Sequence, residues 1–173
     1  MLRLRPFIAR DAGIVTTWLK SEYAFRQWCA DRYEKYPITA EDMILYYNKN
    51  QSNSNAFAMT AFDETGPVGH FTLRFPKEGI FEEARLGFVI VDDKKRGMGY
   101  GKELVLLAVQ YAFDFLKVKK VSLGVFENNQ TALHCYLACG FTEVSVEKAE
   151  SYLCMGETWN CIEMERINSV ELA

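Results

Sequence analysis

The chain has 173 residues, 49% of them hydrophobic and 14% aromatic, with 20 basic and 23 acidic residues for a net charge of −3. That length and composition describe one domain, residues 1–173, with enough apolar side chain for a substantial core. The charge argues against general affinity for nucleic acid or an anionic membrane, and no apolar run reaches the roughly 18 residues of a membrane helix.

The opening "MLRLRPFIARDAG" lacks the apolar core of a signal peptide, and five cysteines without repeating spacing read as reduced thiols, so the expected location is cytoplasmic. "RLRPF" is a short strand-like start, and Pro6 suits an edge or a strand end. Asp11 reads as the N-cap of a helix with Ile14, Val15, Trp18 and Leu19 at helical spacing. A second helical stretch, to about residue 35, carries Phe25, Trp28, Cys29 and Tyr33, and Pro37 interrupts it. Thr39 to Asp42 resembles a capping box with Asp in the usual Glu position, ahead of Met43, Ile44, Tyr46 and Tyr47.

After the polar loop 48–55 come two strand-like runs, "AFAMTAFD" and "VGHFTLRF", joined by "ETGP" as a hairpin. A further strand, 84–91, places Leu86, Phe88 and Ile90 on one face, and "ELVLLAVQYAFDFL" is a helix apolar on most of its circumference. "KKVSLGVF" (119–126) reads as a buried strand, "NNQTALHCYLACGF" as a short helix stopped by Gly140, and the remainder as a hairpin around residues 155–157. The fold class is therefore mixed α/β, a central mixed sheet with flanking helices.

Between strand 84–91 and the long helix lies "DDKKRGMGYGKEL", with Gly97, Gly99 and Gly101 within five positions. It fits neither G-x-x-x-x-G-K-[ST] nor G-x-G-x-x-G, but it does fit R-x-x-G-x-G through Arg96, Gly99 and Gly101. A helix start offers unpaired N–H groups and the positive end of a dipole to an anion, and glycines remove the Cβ atoms that would keep a pyrophosphate away. Lys94, Lys95 and Arg96 add positive charge.

"GFVIVDDKKRGMGYGKEL" together with "NNQTALHCYLACGF" resembles the two signatures of the GNAT superfamily of N-acetyltransferases, the second through Asn129, Ala132, Tyr136, Gly140 and Phe141. The two ends of the chain resemble the branch with ribosomal-protein N-terminal and aminoglycoside acetyltransferases. The resemblance implies acetyl-CoA in a wedge between splayed parallel strands, here 84–91 and 119–126. It implies that Phe88, Val89, Ile90 and Val91 pair with the pantetheine arm. Arg96, Gly97, Met98, Gly99, Tyr100, Gly101 and Lys102 would hold the pyrophosphate, and Asn129 would reach the pantetheine. The acceptor is an amine-bearing small molecule or a peptide N-terminus, and a homodimer is compatible with the closing strands.

Direct attack of an amine on the thioester needs a proton acceptor, an oxyanion donor and an acid for the departing thiolate. Tyr136 matches the family's acid. Where relatives carry a glutamate before the Gly-aromatic pair, this chain has Arg85, which either binds a substrate carboxylate or pairs with Glu83, the pairing being the favoured expectation. Glu83 and His70 are the candidate bases. His134, Cys135 and Cys139 do not make a zinc site, so no metal is expected. The competing reading is a non-catalytic acyl-CoA-binding module with the same fold.

Overall fold

Local signals set most of the elements in the computed structural model, which describes residues 1–51 and 55–169. In chain order these are β1 (Arg3–Pro6), α1 (Ala9–Val15), α2 (Glu22–Cys29), α3 (Ala40–Gln51), β2 (Ala56–Asp63), β3 (Gly66–Arg74) and β4 (Glu83–Val91). Then follow α4 (Tyr100–Asp114), β5 (Lys120–Phe126), α5 (Gln130–Ala138), β6 (Thr142–Glu143), β7 (Ser151–Cys154) and β8 (Glu157–Ile167). The Thr39 box closes reciprocally: Asp42 N–H donates to Thr39 Oγ1 at 3.2 Å and Thr39 N–H to Asp42 Oδ2 at 2.8 Å. Gly140, at φ 84°, ends α5 and lets Phe141 N–H return to the Tyr136 carbonyl at 3.1 Å.

The sheet order is β1-β2-β3-β4-β5-β8-β6, with β7 hairpinned onto β8. All pairs are antiparallel except β4–β5. Pro6 sits on edge strand β1, where its missing N–H costs no ladder bond. Two cores cover the two faces. One gathers α4 and α5 through Leu104, Val105, Ala108, Leu133 and Phe141. The other gathers α1 to α3 through Val15, Phe25, Met43 and Tyr47. Among the described residues no helix is long and apolar enough to cross a membrane.

Four expectations need correction. Asp11 is not the N-cap of α1, because the cap position is Ile8; Asp11 lies in the first turn, and its carboxylate accepts the Ile8 N–H at 3.1 Å from inside the helix. The second helix stops at Cys29 rather than near residue 35. There Ala30 takes φ 53°, and Arg26 donates to the carbonyls of Ala30, Tyr33 and Glu34, which gives the following loop a non-helical set of bonds.

Leu86 does not share a face with Phe88 and Ile90. His70 pairs Ile90 but Thr72 pairs Gly87, so Phe88 and Val89 together oppose Phe71, and Phe88 takes φ 50°. This bulge sends Leu86 to the α4 side and Phe88 and Ile90 to the α1–α3 side. Finally, β6 adds a short strand beyond the expected closing hairpin, whose tight turn uses Met155 at φ 53° and Gly156 at φ 80°.

Candidate active site

β4 and β5 run parallel but pair only at Glu83–Lys120, Ala84–Val121 and Arg85–Ser122. Past that point each strand follows its outer neighbour. β4 stays with β3 through Ile90 and Val91, and β5 stays with β8 to Phe126 opposite Cys161. The inner edges diverge, and Phe88, Val89, Ile90 and Val91 lie on the diverging stretch of β4. A strand edge left in this way offers N–H and C=O groups to an extended ligand as an extra strand would.

Beyond Val91 the chain makes one 3-10 turn, Asp93–Lys95, with Asp92 accepting the Lys94 N–H at 3.0 Å. Gly97 and Gly99 then take φ of 75° and 85°, values that side-chain-bearing residues rarely adopt. The first α4 bond runs from Glu103 N–H to the Gly99 carbonyl at 3.1 Å, so the amides of Tyr100, Gly101 and Lys102 precede the helical ladder and face outward at its positive end. Lys94, Arg96 and Met98 are exposed around them.

Lys95 does not join this positive group. Its Nζ donates to Asp63 Oδ2 at 2.8 Å and Thr65 Oγ1 at 3.0 Å, and the Tyr100 hydroxyl donates to the same Asp63 oxygen at 3.0 Å. Asp63, which the sequence did not single out, thereby ties the loop and the start of α4 to the β2–β3 turn. Its bonds from Lys95 and Thr65 hold its carboxyl well below the usual carboxylate range.

Gly101 differs from the other two glycines. A Cβ there meets only Cys135 Sγ, at 3.8 Å, an ordinary contact. Gly101→Ala is therefore expected to leave stability unchanged or raise it by about 0.5–1 kcal/mol, while weakening acetyl-CoA binding by excluding the pyrophosphate. Titration calorimetry with acetyl-CoA, beside a denaturation curve, separates the two effects. Undiminished affinity would place the pyrophosphate elsewhere.

On the α1–α3 face the wedge opens into a cleft of about 450 Å³. Leu86, Gly87 and Phe88 of β4 and Gly124 and Phe126 of β5 form its floor. Trp28 and Tyr46 wall it, their ring centroids 5.0 and 5.6 Å from that of Phe88. Arg32, Arg74, Arg85, Glu150 and Tyr152 supply its charged and hydroxyl groups.

Of the residues singled out for chemistry, Tyr136 is buried on α5, its ring 6.0 Å from that of Phe141, and burial pushes its hydroxyl above the ordinary tyrosine value. Asn129 N-caps α5, its Oδ1 accepting the Ala132 N–H at 3.3 Å. Glu83 sits at the closed end of the β4–β5 pair, where its carboxylate accepts the Ser122 hydroxyl and lies 3.5 Å from Lys120 Nζ. Arg85 does not pair with Glu83; it forms a two-pronged pair with Glu163 of β8, with Nη2 to Oε2 at 2.9 Å. Gly124 makes room for it, since a Cβ there would lie 3.0 Å from Arg85 Nη2.

His70 is fully buried, with Nε2 2.6 Å from the hydroxyl of Tyr47, a residue that lines the cleft. Burial pushes its pKa down to about 3, against 6.5 for the free group. Above pH 6.5 both folded and unfolded states hold it neutral. Between 6.5 and about 3 only the unfolded chain takes up the proton. Stability is therefore expected to fall as pH is lowered through that window, by up to about 1.4 kcal/mol per unit, and His70→Gln flattens the slope. Denaturant unfolding of both proteins at a series of pH values reads this directly, and equal slopes would overturn it.

Arg74 was legible only as a strand residue, within the run "VGHFTLRF". Glu150 and Tyr152 were not, because only the β7–β8 hairpin brings them to a cleft built mainly from residues far earlier in the chain.

The sequence profile of the acetyltransferase (GNAT) family matches residues 18–141. The chain belongs to that family. The GNAT fold accounts for the splayed strands, and the family transfers acetyl from acetyl-CoA to an amine. A spermidine N(1)-acetyltransferase of Escherichia coli K12 is 23% identical over 163 residues, 94% of this chain and 84% of that protein. Another, of Vibrio cholerae, is 34% identical over 55 residues, so the aligned part spans 32% of each chain. Among solved structures, the Vibrio cholerae spermidine N-acetyltransferase in complex with CoA and spermine superposes with a TM-score of 0.81 at 22% identity, covering 99% of this chain and 98% of that one.

Proposed function

We propose that this GNAT protein transfers the acetyl group of acetyl-CoA to the primary amine of a small molecule seated in the 450 Å³ cleft. The observation that carries this reading is that cleft and wedge share their floor, Leu86 to Phe88 with Gly124 and Phe126, so an amine in the cleft meets a thioester laid along β4. The volume suits a small ligand rather than a protein N-terminus. Spermidine and spermine, named in the relatives, are the first acceptors to test.

The neutral amine attacks the thioester carbon, the C–N bond forms, and the C–S bond breaks as the tetrahedral intermediate collapses. A β4 amide near Val89 or Ile90 donates to the oxyanion. Tyr136 protonates the departing thiolate; its raised pKa keeps its proton available against a thiol near 8.5. Glu150 takes the amine's proton through water, because it is the carboxylate that lines the cleft, whereas Glu83 is engaged at the closed end and His70 is sealed and held neutral.

The test is a thermal shift with acetyl-CoA, CoA, ATP and NADH, followed by thiol release against an amine panel. Ligand at 100 times its dissociation constant adds about 2.7 kcal/mol. Stabilisation by the CoA species with amine-dependent thiol release is the expected result. Stabilisation only by ATP or NADH overturns the reading, and CoA binding without turnover on any amine favours the non-catalytic module.

A further inference from the structure

The charges of the cleft select among amines. Arg32, Arg74 and Arg85 line it, against one carboxylate, Glu150. Two of the arginines are already engaged. Arg85 is paired with Glu163, and Arg32 lies 3.5 Å from Asp31 and donates to the Tyr152 hydroxyl at 3.4 Å. Glu150 accepts the Tyr152 hydroxyl at 2.9 Å.

The Arg74 side chain, at the end of β3, makes no hydrogen bond or ion pair with any described residue. Arg74 is exposed to solvent, yet partial desolvation and the neighbouring Arg85 and Arg32 work against its charge, with Glu150 and Tyr46 acting the other way. A guanidinium placed beside two others, in a cleft walled by Trp28, Tyr46 and Phe88, is a fork of donors awaiting an oxyanion. A purely cationic acceptor such as spermidine enters against this field. An amine that carries its own anion completes it.

We propose that the acceptor is an amine bearing a carboxylate, an amino-acid-type molecule, whose carboxylate binds Arg74 while its amine is held toward the wedge. The proposal rests on the reading of this cleft as the acceptor site. Arg74 reaches the ligand directly, while Arg85 is held across Gly124 by its pair with Glu163.

The probes are common α-amino acids and short ω-amino acids, each matched with its own amide, together with spermidine. They are tested first by calorimetric binding to the CoA-loaded protein and then by thiol release from acetyl-CoA. The expected result is that at least one amino acid binds, and is acetylated with kcat/KM, about ten-fold or more better than its amide, and that Arg74→Gln brings the acid down to the level of the amide. The effect falls on KM rather than kcat. Retained stabilisation of the variant by CoA shows that it is folded. Binding of spermidine with no response to any amino acid overturns the proposal and leaves the acetyltransferase reading standing. Equal loss of acid and amide in Arg74→Gln also overturns it. Amino-acid binding that depends on Arg74, without turnover, upholds the anion site and counts instead against the catalytic reading.

Discussion

Replacing Tyr136 by Phe is expected to lower kcat by about 10²–10⁴-fold while the thermal shift with acetyl-CoA stays as in the parent protein. The phenyl ring keeps the packing of α5, where Tyr136 lies buried beside Phe141, so the change removes one hydroxyl and little else. Loss of turnover with cofactor binding intact assigns that hydroxyl to protonation of the CoA thiolate. Because the raised pKa of Tyr136 keeps it protonated through neutral pH, the alkaline limb of the parent rate profile is expected to lie above the ordinary tyrosine range. An unchanged kcat in the variant would mean that the thiolate leaves unaided, and Tyr136 would be a core residue only.

The largest loss of stability is expected from Asp11→Ala. Asp11 is fully buried and accepts four bonds: from Arg5 Nη1 at 2.6 Å and Nη2 at 2.7 Å, from Thr60 Oγ1 at 2.8 Å, and from Ile8 N–H at 3.1 Å. These tie β1, α1 and β2 together beneath the α1–α3 core. Alanine leaves the Thr60 hydroxyl without this partner and the Arg5 guanidinium with the Pro6 carbonyl alone, at 3.1 Å, among its hydrogen bonds to described residues. The cost is about 3–5 kcal/mol, or roughly 6–20 °C in melting temperature for a chain of this size.

Burial works against the Asp11 charge, but the bonds from Arg5, Ile8 and Thr60 outweigh it, so its pKa lies below the ordinary carboxylate value of 3.8. Its contribution is therefore present above that value and is lost as pH falls below it, so the deficit of the variant is expected to narrow in acid. Thermal unfolding of both proteins at neutral and at acid pH measures this. A melting temperature unchanged at neutral pH would show that the network contributes no net stability.

How much of the site could be read from the chain follows from the range of each signal. The glycine loop was legible because left-handed backbone at Gly97 and Gly99 and a helix start at Tyr100 are decided within a few residues. The Thr39–Asp42 box and the Gly140 stop were legible for the same reason. Asp11 was recognised as a helix-start residue but was displaced by three positions, since its carboxylate serves a buried arginine as well as the Ile8 amide. The second helix was overextended because Arg26 captures carbonyls of the following loop, and nothing in hydrophobic spacing records such a bond.

By itself, then, the sequence determined most of the element order, the glycine-rich helix start and the family signatures, all of which depend on neighbours in the chain. Tertiary structure alone decided the rest. The bulge at Phe88 arises from register against β3, and it turns that side chain toward the cleft. Insertion of β8 between β5 and β6 gives Arg85 its partner Glu163, where the chain had pointed to Glu83. The β7 hairpin brings Glu150 and Tyr152 to the cleft, where the Arg74 side chain has no hydrogen bond or ion pair among the described residues. Strand register and strand adjacency are set by how whole faces bury against each other, and a side chain's charge partner follows from that burial rather than from its position along the chain.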